Sequence, residues 1–165
     1  MCAMSDALRD IPGYTTVVVG RPETPQYVDT LSARPGWDRM RYEGIVPMTR
    51  IRSLLGEARI GLVLNQPRAD YLDLATNKLF EYMAAGLPVV STDIPFWRKV
   101  LEETRCGIVV DGTDARRLAD AVRWLLEHPA EAEAMGERAR KAAEERYDWN
   151  SEACTLLELY QLVLA

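Results

Sequence analysis

Histidine is nearly missing from this chain: there is one in 165 residues, His128. It precedes Pro129 at the end of a helical run, far in sequence from the polar loops. A helix-end role fits it better than acid–base chemistry, although imidazole is the usual proton carrier near neutral pH. No Ser/His/Asp or Cys/His set can be assembled, which disfavours covalent hydrolase chemistry. Cysteine is scarce as well. Cys2, Cys106 and Cys154 are far apart and odd in number, with no Cys-x-x-Cys or Cys/His pairing that would suit zinc. They read as free thiols of a reducing cytoplasm.

Basic residues are outnumbered, 20 Lys and Arg against 25 Asp and Glu, for a net charge of −5. That argues against a nucleic-acid groove or an anionic membrane surface as partner, while leaving room for a local basic spot that binds phosphate. No stretch approaches the ~18 apolar residues of a membrane span. The start Met1-Cys2-Ala3-Met4-Ser5-Asp6 lacks the basic region and apolar run of a signal peptide. No internal repeat, low-complexity segment or long linker interrupts the chain. What is present is ordinary globular material, 48% apolar and 27% charged, of a length that fits one domain. A chain of this size buries roughly 68–70% of its unfolded surface, enough for a core.

Short apolar runs alternate with helical periods. Tyr14–Gly20, Arg39–Gly44, Ile60–Leu64, Pro88–Ser91 and Gly107–Val110 read as strands, most of them continuous in apolar residues. Glu23–Ala33, Pro47–Ala58 and Pro95–Glu103 read as helices, with Pro47 suited to a first-turn position, and the family resemblance given below implies one more over Ala3–Ile11. Beyond residue 110 the chain becomes helical. Asp114 can cap a helix whose Leu118, Ala121, Val122, Leu125 and Leu126 share one face. His128-Pro129 breaks it, Ala130–Arg146 continues, and Asp148 can cap Trp149–Val163. The four tryptophans, at 37, 97, 124 and 149, read as packing. Strands separated by helices imply an α/β fold, a parallel sheet covered on both faces.

Ligands of such sheets bind outside the carboxyl ends of the strands. The loop after the third strand carries Asn65, Gln66, Arg68, Asp70, Asp73, Thr76, Asn77 and Lys78, the densest polar cluster beside apolar strands. It feeds a short helix that holds Glu81 between Phe80, Tyr82 and Met83, where a charge is costly unless it has a partner. A helix beginning near Thr76 would aim free amides and the positive end of its dipole at a phosphate. Asn77 and Lys78 would add a donor and a charge. Glu81, about one and a half turns in, can accept two neighbouring hydroxyls, the pair that a ribose offers. The plainer reading leaves Glu81 in a local pair and Asp73 as a solvated loop residue, and spacing alone does not choose. Ala84-Ala85-Gly86-Leu87-Pro88 lets the helix pack closely on the sheet, with Gly86 as its C-cap. Gly44-Ile45-Val46-Pro47 is a strand-to-helix corner whose backbone can face a flat base.

Taken in order, several segments resemble the retaining nucleotide-sugar glycosyltransferases of the GT-B fold, family 4 in sequence classification. They are Val17-Val18-Val19-Gly20, Gly44-Ile45-Val46-Pro47, Leu54–Leu62, Lys78-Leu79-Phe80-Glu81-Tyr82-Met83-Ala84-Ala85-Gly86-Leu87-Pro88-Val89-Val90, Gly107-Ile108-Val109-Val110 and Arg146-Tyr147-Asp148-Trp149. The resemblance implies a single Rossmann-like domain over residues 1–165, the carboxy-terminal, donor-binding half of such an enzyme, with a helical tail. It implies Glu81 on the ribose hydroxyls and Asp73 where the family has a first glutamate contacting the transferred sugar. It also implies Thr76, Asn77 and Lys78 around the donor, and Val46 and Pro47 beside the base. The donor would be a UDP-, GDP- or ADP-linked sugar, used without a metal or other cofactor in polysaccharide or cell-envelope glycan synthesis. Two departures follow from the same resemblance: the amino-terminal acceptor domain is absent, and so is the central first strand with its Gly-Arg and Lys-Gly phosphate grip. Gly20-Arg21 belongs to the next strand. The chain alone is therefore expected to be inactive, and its uncovered sheet edge and final helix make a homodimer an expected association. The alternatives are a stand-alone nucleotide-sugar-binding subunit that works with a separately encoded acceptor domain, and a flavodoxin- or receiver-like signalling domain. The latter normally carries an acidic pair after its first strand, where this chain has Gly20-Arg21-Pro22-Glu23.

Overall fold

A computed structural model describes residues 1–65, 76–112 and 114–164. The β-branched runs form strands as expected. β1 (Thr16–Val19) pairs in parallel with β2 (Met40–Gly44), and β4 (Val89–Thr92) lies in parallel between β3 (Gly61–Val63) and β5 (Gly107–Val110). β4 is buried at every residue, as expected of a strand covered on both faces. Between β1 and β3 no ladder forms among the described residues, so the sheet is split in two.

The helices are α1 (Cys2–Ala7), α2 (Pro25–Ser32), α3 (Met48–Glu57), α4 (Asn77–Ala84), α5 (Pro95–Thr104), α6 (Ala115–Glu127), α7 (Pro129–Arg146) and α8 (Trp149–Leu164). Their limits are set by caps. Asp114 accepts hydrogen bonds from the amides of Arg116 and Arg117 and starts α6. Pro25 fixes the first turn of α2 and moves its start from Glu23 to residue 25. Pro47 is the N-cap of α3 rather than part of its first turn, because its ψ of 158° is extended. α1 ends at Ala7, not Ile11, and the chain passes into turns.

Two clusters form the core. On one side α4, α5 and α7 cover β3–β5 with Leu79, Met83, Trp97, Leu101 and Ala139. On the other, Met4 of α1 and Leu8 just past its end join Val90 and the apolar stripe of α6. α1 also reaches the smaller sheet, where the hydroxyls of Ser5 and Thr16 meet at 2.8 Å. Arg9, just past α1, grips Asp38 beside β2 through two bonds of 2.7 and 2.8 Å.

Three aromatic expectations resolve differently. Trp97 is fully buried. Trp124 stacks on His128 at 4.5 Å, and His128 Nδ1 lies 2.8 Å from the Trp124 carbonyl, the helix-end role expected of it. Trp149 is not packing material, being 77% exposed at the start of α8.

Candidate functional site

The carboxyl ends of the strands are held by unusually close contacts. The hydroxyl of buried Thr92, at the end of β4, donates to the Asn65 carbonyl at 2.7 Å and accepts from the Asn65 amide at 3.3 Å. A Cβ on Gly112 would come within 2.4 Å of Thr92, so only glycine lets the chain after β5 cross there. This clamp fixes the point where the polar loop leaves β3. The signal for it was the pair of hydroxyl residues, Ser91 and Thr92, that closes the strand.

Past the loop the chain re-enters as α4. Thr76 is its N-cap, with extended backbone and no hydrogen bond from its side chain. The amides of Asn77 and Lys78 therefore have no capping acceptor among the described residues, unlike those at the start of α6. Such a terminus carries partial positive charge and open donors. Asn77 and Lys78 are exposed.

Glu81 is exposed too, which corrects the expectation of a charge in an apolar niche. Sequence neighbours on a helix point in different directions: Leu79 and Met83, four apart, face the core, and Glu81 between them faces out. Among the described residues its carboxylate makes no ion pair and accepts no hydrogen bond, so the plainer reading of a local partner finds none there. Burial, and then the charge of Glu81, push the Tyr82 phenol above its ordinary pKa. Asp73, with Gln66, Arg68 and Asp70, lies outside the described residues.

α4 is fixed at both ends of its buried face. Tyr82 packs directly over Gly61 of β3, where an added Cβ would meet the ring at 2.4 Å. At its C-terminus Gly86 adopts φ +72°, the Gly86 amide donates to the Met83 carbonyl and the Leu87 amide to that of Tyr82. These two bonds make a Schellman cap. The small residues there serve a contact with α7 rather than with the sheet: a Cβ on Gly136 would lie 2.2 Å from the Gly86 carbonyl oxygen. Ala84 is exposed.

At the end of β2, Val46 and Pro47 occupy the corner into α3. The Pro47 carbonyl already accepts from the amides of Arg50 and Ile51, at 2.9 and 3.2 Å, and proline has no N–H. Val46 makes no backbone hydrogen bond among the described residues. Of the two, only Val46 has an open donor and an open acceptor. Ile45 and Met48 flank it with exposed apolar side chains, 70% and 57% exposed. Among the described residues the arrangement thus offers an uncapped helix start, a carboxylate without a partner one turn along it, and, at the end of β2 in the other sheet, an apolar corner with the open amide and carbonyl of Val46. No group of three His, Cys, Asp or Glu able to hold a metal stands together among the described residues.

The chain is similar to known proteins. A family described as "Glycosyl transferase-like" matches residues 2–158. Phosphatidyl-myo-inositol mannosyltransferase of Mycobacterium leprae is 36% identical over 85 residues, covering 52% of this chain and 22% of that protein. The Anabaena protein HepE, solved in complex with UDP-glucose, superposes with a TM-score of 0.82 at 19% identity, covering 96% of this chain and 44% of the other. The C-terminal domain of a glycosyl transferase group 1 family protein from Francisella tularensis superposes with a TM-score of 0.73 at 18% identity, over 89% of this chain and 76% of that one. The chain spans about a fifth of the length of the mannosyltransferase it matches. It belongs to the glycosyl transferase-like family and has the fold of the C-terminal domain of a GT-B glycosyltransferase.

Proposed function

We propose that this chain is the donor-binding part of a glycosyltransferase that moves a sugar from a nucleotide-sugar to a glycan or lipid acceptor, and that it does so only together with a second domain. The observation that carries the reading is α4: an uncapped N-terminus followed, one turn later, by an exposed carboxylate with no described partner. Phosphate oxygens would take the amides of Asn77 and Lys78 and the Lys78 ammonium. Glu81 would accept both ribose hydroxyls. The base would lie on Ile45 and Met48 and bond the open backbone of Val46, with Pro47 shaping the corner. Asp73 would contact the transferred sugar. Rate would come from holding donor and acceptor in line and from stabilising the leaving diphosphate, with no resident metal. Mannosyl transfer by the Mycobacterium leprae relative and UDP-glucose in HepE support a nucleotide-linked hexose.

The need for a second domain is supported by α8. Leu156, Leu157, Leu159, Tyr160, Leu162, Val163 and Leu164 are all exposed, the last at 82%. Together with Trp149 they make an uncovered apolar surface of the kind that marks an interface. An acceptor domain, on the same polypeptide or separately encoded, would cover it; pairing of two copies is the other cover.

Amide spectra recorded with UDP-glucose, GDP-mannose and ADP-glucose test the reading. One of them should shift Val46 and residues 76–81. Shifts confined elsewhere, or none with any donor, would overturn it. Sugar transfer by the chain alone, well above hydrolysis, would overturn the need for a second domain.

A further inference from the structure

The corner between β2 and α3 is loosely bonded by its own backbone. Gly44, at φ +67°, turns the chain out of β2, and its carbonyl accepts from the Gly20 amide at 2.8 Å. On the far side the Pro47 carbonyl is held by the amides of Arg50 and Ile51. Between these anchors Ile45 and Val46 make no backbone hydrogen bond among the described residues. Such a segment samples many backbone states unless its two ends are fixed from outside.

Arg50 fixes them. It stands third in α3, in the turn where the helix dipole disfavours a cation, so its place there calls for an anionic partner. The partner is Glu43, the residue before Gly44. Arg50 Nη2 donates to Glu43 Oε1 at 2.8 Å and Arg50 Nε to Glu43 Oε2 at 3.4 Å. The Glu43 side chain is only 19% exposed. A two-pronged, sheltered contact of this kind differs from the single exposed pairs that contribute little. Its hydrogen bond is the chief reason the Glu43 carboxyl sits below the usual carboxylate range. Farther along α3, Arg50 Nη1 lies 3.5 Å from Glu57, whose carboxylate also accepts from the Ser53 hydroxyl at 2.9 Å. Arg41 reaches Glu43 as well, Nε to Oε1 at 3.0 Å, but from two residues back on the same strand, so that contact does not cross the corner.

We propose that Arg50 is a positioning residue for the nucleobase: its fork on Glu43 closes the β2–α3 corner and holds the Val46 amide and carbonyl where the edge of a base can meet them, while Arg50 itself touches no part of the donor. This role rests on the donor reading above and concerns one part of the donor, its base. A corner ordered in advance binds without the entropy cost of ordering on contact. Opening the fork restores that cost for ligands that carry a base and for no others.

Amide spectra of the intact chain and three variants test it. Whichever of UDP-glucose, GDP-mannose and ADP-glucose shifts Val46 in wild type should bind Arg50→Ala about tenfold more weakly, the order of the cost of fixing one residue's backbone. Ribose 5-phosphate keeps the ribose hydroxyls and a phosphate but has no base, so it should shift residues 76–81 equally in wild type and Arg50→Ala. Arg41→Ala takes the same charge from the same carboxylate without opening the corner, and should bind the donor as wild type does. Arg50→Lys keeps the charge but loses the fork, and should recover no more than part of the affinity. Without ligand, the Ile45 and Val46 amides should be sharp in wild type and broadened by exchange in Arg50→Ala. Donor affinity retained by Arg50→Ala, an equal loss in Arg41→Ala, full recovery in Arg50→Lys, an equal loss for ribose 5-phosphate, or corner amides alike in wild type and Arg50→Ala would each overturn the proposal. A wild-type chain in which no donor shifts Val46, or in which ribose 5-phosphate leaves residues 76–81 unmoved, would overturn the donor reading itself and this role with it.

Discussion

Replacing Gly136 with alanine sets two effects of known size against each other, and the structure decides the sign. Gly136 lies within α7, where Gly→Ala ordinarily stabilises a helix by about 0.8–1.0 kcal/mol. Here the new Cβ would sit 2.2 Å from the carbonyl oxygen of Gly86 and 3.1 Å from its carbon. Backbone cannot rotate away, so α7 and the end of α4 must separate by roughly 1 Å to reach ordinary contact. Overpacking of this kind costs about 1–3 kcal/mol, and a backbone clash belongs at the upper end. The net expectation is a loss of about 2 kcal/mol, a fall of about 1 M in the urea midpoint for a slope near 2 kcal/mol/M. Gly56→Ala is the matched control. Gly56 is exposed in α3, and nothing lies within 4 Å of an added Cβ, so this variant should gain up to about 1 kcal/mol. Urea unfolding of the two variants beside wild type measures both signs. If Gly136→Ala is as stable as wild type, or more so, the α4–α7 contact is not as close as described, and the rigid seating of Glu81 loses its support.

Two further perturbations have determined directions. Thr92→Val keeps the shape of a fully buried residue but leaves the Asn65 carbonyl and amide without the hydroxyl; it should cost about 1–3 kcal/mol in urea unfolding, and a neutral variant would refute the clamp. Acid should destabilise the chain through carboxylates paired with arginine. Arg123 holds Asp10, Arg9 holds Asp38 and Arg50 holds Glu43 below the usual carboxylate range, in each case chiefly by hydrogen bonding. A carboxylate with a depressed folded-state pKa contributes stability above its unfolded pKa and loses it as pH falls through the folded one. The urea midpoint should therefore be flat near neutrality and decline below about pH 4.5, with a shallower decline in Arg123→Ala. A midpoint unchanged down to pH 3 would contradict the pairing.

Local chemistry was legible in the sequence and long-range contact was not. The runs Val17–Val19, Val89-Val90 and Ile108–Val110 announce strands because β-branching and unbroken apolarity are local properties. Asp114 announces α6 because capping involves residues two or three apart. Glu81 reads in the sequence as a charge in an apolar niche, yet it is exposed, since chain neighbours on a helix occupy different faces. Gly136 carries no local signal because its contact, Gly86, is fifty residues away in the turn that ends α4. The exposure of Trp149 and the leucines after it was illegible for a related reason. An amphipathic helix has the same sequence whether its partner surface is present or supplied by another domain. The position of Asp73 lies outside the described residues.

The central claim is that Glu81 binds the ribose of a nucleotide-sugar on a helix whose fold does not depend on it. Calorimetric titration of UDP-, GDP- and ADP-sugars into wild type and Glu81→Ala tests this most directly. One nucleotide should bind wild type, and Glu81→Ala should bind it at least roughly tenfold more weakly, as expected for losing charge-assisted hydrogen bonds. Its thermal midpoint should stay unchanged, because Glu81 is exposed and has no described partner. Equal binding of that nucleotide by a folded Glu81→Ala variant would contradict the account.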